Sequence, residues 1–157
     1  MIPGEADTAE TNYAAVATTR NLIYAIDPEG NGVMFVDSRT SFNDVTDGTS
    51  ETLLVGEIDL EQDDPIKTKY PQYCPGGKCY IGNHWSAENR MSTYRGINES
   101  NGQVSYQWPG PTSHHPGGAQ FVFVDGHVDF LNEDIELELL WALTTRAGGE
   151  VTVAFGQ

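Results

Sequence analysis

The histidines and carboxylates that could do chemistry together lie mostly in one stretch, His115-Pro-Gly-Gly-Ala-Gln-Phe-Val-Phe-Val-Asp-Gly-His-Val-Asp129. His115 and Asp125 invite a metal or acid–base reading, because an imidazole and a carboxylate can share a cation or a proton. Strand geometry speaks against a shared site. Residues 119–124 in extended form span about 20 Å, and His115 lies further back. The plainer reading makes Asp125-Gly126 a turn and His115 a loop residue bonded to backbone. His127 and Asp129, two apart on one strand face, are a second candidate metal pair, with no third ligand at a recognisable spacing. Asp44, Asp47 and Glu51 beside a glycine turn offer oxygen ligands of the kind calcium takes. A helix cap and a turn explain Asp44 and Asp47 as well, and the dense Asp/Asn alternation of a calcium loop is missing.

Other chemistries have weaker footing. No Gly-x-Ser-x-Gly elbow and no phosphate loop occurs. A hydrolase would have to join His115, His127 and carboxylates that the spacing keeps apart. His84 and His114 have no partner at motif spacing. Cys74 and Cys79 flank a Pro-Gly-Gly turn that brings them together, which favours a disulfide over two free thiols. Such a bridge contributes about 2 kcal/mol in the chain-entropy model and implies an oxidising compartment. Zinc is disfavoured, since no second Cys or His pair stands at ligand spacing. Trp85, Trp108, Tyr94 and Tyr106 could form an aromatic platform for sugars, or simply pack.

Composition narrows the partners. The chain has 157 residues, enough for one domain with a real core. Acidic residues outnumber basic ones 23 to 8, a net charge of −15. That argues against nucleic acid or an anionic membrane as partner, because phosphate binding needs clustered Lys and Arg. No apolar run approaches a membrane span, so no direct membrane insertion by this chain is expected.

The elements that must position these residues read as a sheet with one helix. Asp125-Gly126 between two strand-forming runs is a strong hairpin signal. With a two-residue loop, Phe123 faces Val128 and Phe121 faces Phe130, so Phe121, Phe123, Val128 and Phe130 form the buried face. Phe123→Ala is then expected to cost about 3–5 kcal/mol. The other face, with Gln120, Val122, Val124, His127, Asp129 and Leu131, is mixed.

Residues 1–10 read as a flexible lead-in and 11–157 as a single domain. Thr11–Thr19, Asn21–Ile26, Val33–Val36, Thr52–Glu57, Gln103–Trp108 and Val151–Phe155 are candidate strands. Residues 59–72 form an acidic loop, and 73–98 have a small-hairpin or irregular character. Ser41 can cap a helical turn at Phe42–Val45, and Asp47-Gly48 turns the chain into the Thr52–Glu57 strand. Glu57, at that strand's end, either meets water or pairs with a cation such as Arg146. The clearest helix runs from Glu133 to about Arg146. Asn132 is its N-cap, Ile135, Leu139, Leu140 and Leu143 its apolar stripe, and Gly148 its stop. The fold class expected is α+β, mainly antiparallel sheet with this helix packed on it.

Four pieces stand in order: Thr11-Asn-Tyr13, the Asp44–Glu57 stretch, His115-x9-Asp125-Gly126, and Leu143-Thr-Thr-Arg-Ala-Gly-Gly-Glu150. Together they resemble the prepilin-type "H-x9-DG" family, a domain-of-unknown-function group (1559) abundant in planctomycetes, whose members resemble type IV pilins and type II secretion pseudopilins. The resemblance implies a pilin-like head fold, an extracytoplasmic place in the cell envelope, and other pilin-like or envelope subunits as partners. It supplies no catalytic residue, so a non-enzymatic role is expected. It implies no cofactor, although pseudopilins include calcium-binding members. A calcium- or glycan-binding module is the alternative. Family members normally begin with a processed leader and a long hydrophobic helix. Neither stands in this sequence, which reads as the soluble C-terminal head. His115, Gly117, Gly118, Asp125, Gly126, Asp47, Gly48, Glu57, Arg146 and Gly148 are read as a structural signature.

Overall fold

A computed structural model describes residues 12–20, 30–58, 90–99 and 110–150. The candidate strands at 21–26, 103–108 and 151–155, the loop at 59–72, His84, Cys74, Cys79, Trp85, Tyr106 and Trp108 lie outside the described residues.

The described residues form a five-stranded sheet with one helix on it, an α+β arrangement dominated by the sheet. The strands are β1 (Tyr13–Thr18), β2 (Leu53–Glu57), β3 (Arg90–Ser92), β4 (Gly118–Phe123) and β5 (Val128–Asn132). Their order across the sheet is β3-β1-β2-β4-β5. All neighbours are antiparallel except β1 and β3, which run parallel. Helix α1 (Leu137–Thr144) follows β5.

Strand chemistry explains the central trio. Ala14, Gly56 and Phe121 lie side by side across β1, β2 and β4 and face the helix side. Gly56 has no side chain because the Phe121 ring fills that space: a Cβ there would sit 2.6 Å from the ring and 3.2 Å from the Met91 sulfur. A register shift between Leu53 and Val55 works as a bulge, so that Leu53 and Gly56 both face inward despite their odd separation. Leu140 and Leu143 of α1 close this core over Val16, Leu53, Met91, Phe121 and Leu131. Thr93, just after β3, fastens the helix. Its hydroxyl meets that of Thr144 at 2.9 Å, and its carbonyl accepts from the Trp141 indole at 3.2 Å.

Three expectations need correction here. The first is the hairpin register. Phe123 pairs with His127 and Phe121 with Asp129, a connection of three residues rather than two. Gly126 takes φ +93°, the left-handed residue that closes a three-residue hairpin loop. The slip of one residue turns all of β5 over. Leu131 is buried at 4% exposure, whereas Val128 and Phe130, expected in the core, are 59% and 43% exposed.

The second is the helix start. Asn132 ends β5 and its side chain accepts from the Asp134 N–H, making a turn. The helix itself starts at Leu137 and ends at Thr144, shorter at both ends than expected. The third is Val33–Val36, which is not a strand. Phe35 and Ser38 bond each other across a tight turn, and Asp37 has φ 55°. β3, by contrast, falls inside a stretch expected to be hairpin-like or irregular.

Candidate functional site

The segment 46–58 is where the signature residues meet. At its start, the backbone N–H groups of Thr46 and Asp47 donate to the Arg146 carbonyl at 2.8 and 3.3 Å. The Asp47 carboxylate accepts from the Gly148 N–H (2.6 Å), the Gly149 N–H (3.0 Å) and the Thr145 hydroxyl (3.2 Å). Arg146 continues this tie on its other side. Its guanidinium donates to the carbonyls of Gly30 and Gly32, both at 2.8 Å, and lies 4.9 Å over the Phe35 ring. Of the two alternatives for Glu57, water or a cation such as Arg146, the Arg146 pair is not made. Backbone carbonyls meet the cation instead. A surface depression of about 460 Å³ beside this tie is lined by Arg20, Asn31, Phe35, Arg146 and Glu150 among others.

In the middle of the segment, the hairpin tip docks. Val124 N–H donates to the Thr52 carbonyl and Asp125 N–H to the Thr49 carbonyl, at 2.9 and 3.0 Å. The tip is itself pinned by Asp125, whose Oδ1 accepts the His127 N–H at 3.0 Å and lies 2.6 Å from His127 Nδ1. The His127 backbone N–H, and then its ring, hold the Asp125 carboxyl below its ordinary value of 3.8. The His127 ring lies flat on Phe123, centroids 4.2 Å apart.

At the end of the segment sits Glu57. Its Oε2 accepts the Gln120 N–H at 2.8 Å and its Oε1 lies 3.3 Å from His115 Nε2. The partner of the His115 ring is thus a carboxylate from β2 and not the backbone expected for it. Gly117 (φ +82°) and Gly118 carry the chain from His115 into β4. A side chain at Gly118 would collide with the Leu131 carbonyl and the Phe130 ring. Ile58 N–H donates to the Asn12 carbonyl, and Tyr13 pairs with Glu57 across the sheet.

His115 and Asp125 therefore stand at opposite ends of β4 and share no site, as strand length requires. His127 pairs with Asp125 rather than with Asp129, whose carboxylate accepts the Phe130 N–H at 2.8 Å. Asp44 and Asp47 face separate protein donors. The Ser41 hydroxyl and then the Ser41 N–H, both at 2.7 Å, hold the Asp44 carboxyl below 3.8. Among the described residues, no group of three or more His, Cys, Asp or Glu is placed to hold a metal ion. Tyr94 stacks on Trp141, centroids 6.2 Å apart. Sequence reasoning did not single out Trp141, whose indole spacing carries no motif. The ties to Thr145, Gly149 and Gln120 were likewise unread.

The chain matches the family described as "Protein of unknown function (DUF1559)" over residues 3–138. It belongs to that family. The match spans three of the four ordered motifs and stops inside α1, before Arg146. No curated protein and no solved structure matches the chain.

Proposed function

We propose that this chain is a non-enzymatic structural and interaction head of a type IV pilin-like or pseudopilin-like protein of the cell envelope. One observation carries the reading: the other three sequence motifs converge as structural ties on segment 46–58, which is most of the Asp44–Glu57 motif. Asn12 and Tyr13, the hairpin tip, His115 and the Arg146 loop each bond to it. The signature polar side chains are engaged with one another and with backbone, over sequence separations of up to 116 residues. A signature of that kind preserves a surface rather than a reaction. The prepilin-type resemblance supplies the envelope setting, and the acid-rich chain fits a protein partner better than a polyanion.

The experiment is fractionation of the cells that make the protein, probed with an antibody against this domain. Recovery in the envelope fraction, with protease access from the extracytoplasmic side, is expected. Recovery wholly in the cytosol would overturn the proposal.

A further inference from the structure

Among the described residues, β5 is an edge strand of the sheet. His127 accepts from β4 and Glu133 donates toward it, so alternation turns the backbone groups of Val128 and Phe130 away from β4. Their side chains are the exposed apolar ones noted above, and they share the outer face with Val122 and Val55 in the next two strands. Edges of this kind add strands from other chains unless something blocks them. Here Asp129 partly blocks it, because its carboxylate covers the outward Phe130 N–H at 2.8 Å. The surrounding stretch 125–138 carries Asp125, Asp129, Glu133, Asp134, Glu136 and Glu138, all exposed, and no Lys or Arg.

We propose that the β5 edge binds an extended basic segment of a partner protein by strand addition. An incoming carbonyl takes the Phe130 N–H, and a Lys or Arg beside it takes the Asp129 carboxylate that is displaced. Apolar residues on the alternate positions cover Val128 and Phe130. A second copy of this chain would bring the same carboxylates against the edge, in a molecule already at −15, so self-pairing is opposed. This deepens the interaction reading above by naming the surface and the partner's chemistry.

The test is fluorescence anisotropy of a labelled peptide of alternating valine and lysine, titrated with the full chain. Controls are a peptide of the same composition in two blocks and an alternating valine–glutamate peptide. The alternating basic peptide should bind, and its affinity should fall about tenfold in V128S/F130S and less in D129N. Hydrogen exchange at Val128 and Phe130 should slow in the complex. Equal binding of the block peptide, or undiminished binding by V128S/F130S, would reduce the effect to diffuse charge attraction and overturn the proposal. So would no binding, or a self-association of the chain that V128S/F130S abolishes. Envelope recovery is a separate readout, so a failed titration leaves the localisation result intact.

Discussion

Asp125 and His127 are the point at which a residue pair resembling a catalytic dyad turns out to close a loop. The carboxylate serves the backbone N–H first and the imidazole second, which fixes the order of causes for its depressed titration. His127→Ala should therefore raise the Asp125 midpoint only part of the way to 3.8, since residue 127 keeps its N–H. Carbon-detected NMR titration of the Asp125 carboxyl reads this directly. A midpoint unchanged by the substitution would remove the ring from the tie. Asp44 and Asp125 have the same sign of effect on stability. Both bind protons less tightly folded than unfolded, so their contribution is present above the unfolded value. It is lost as pH falls through the lower folded value. Gly126 was legible from its place after Asp125. The partner of Glu57 was not, because nothing in local spacing distinguishes His115 from Arg146 as its neighbour.

At the scale of elements, the hairpin decides which residues are core. Asp-Gly suits a two-residue loop and also a three-residue loop with glycine last, and the two differ by one residue of register. Docking of the tip on Thr49 and Thr52 belongs to the second arrangement. Sequence alone carries the hairpin, β2 and the apolar stripe of α1. It carries neither the register nor the three-residue β3, whose strand character comes from pairing beside β1. It also misplaces the helix start, since Asn132 has the chemistry of a cap for a turn as much as for a helix. The corrected register predicts that Leu131→Ala costs about 2–5 kcal/mol, like other core leucines. Phe130→Ala should cost less than about 1 kcal/mol, as a surface substitution. Urea unfolding of the pair checks this, and the reverse ranking would restore the two-residue loop. Phe123→Ala keeps its expected cost of about 3–5 kcal/mol, because Phe123 is inward in either register.

Across the whole molecule, segment 46–58 ties together parts of the chain that sequence order keeps far apart. Its contacts reach back to Asn12 and forward to Gly149. Separations of that size are what a reading by local pattern cannot reach, although Asp47, Glu57 and Arg146 were each visible as signature residues. The acidic surface and the open β5 edge then become the outward properties of a frame that the signature holds fixed. Equilibrium urea unfolding of Asp47→Ala tests that frame most directly, because one carboxylate receives three donors from the Arg146 loop. If the signature is a set of structural ties, the substitution lowers stability by about 2 kcal/mol at an unchanged slope. A midpoint equal to that of the unsubstituted chain would contradict it and return Asp47 to the class of residues kept for binding or chemistry.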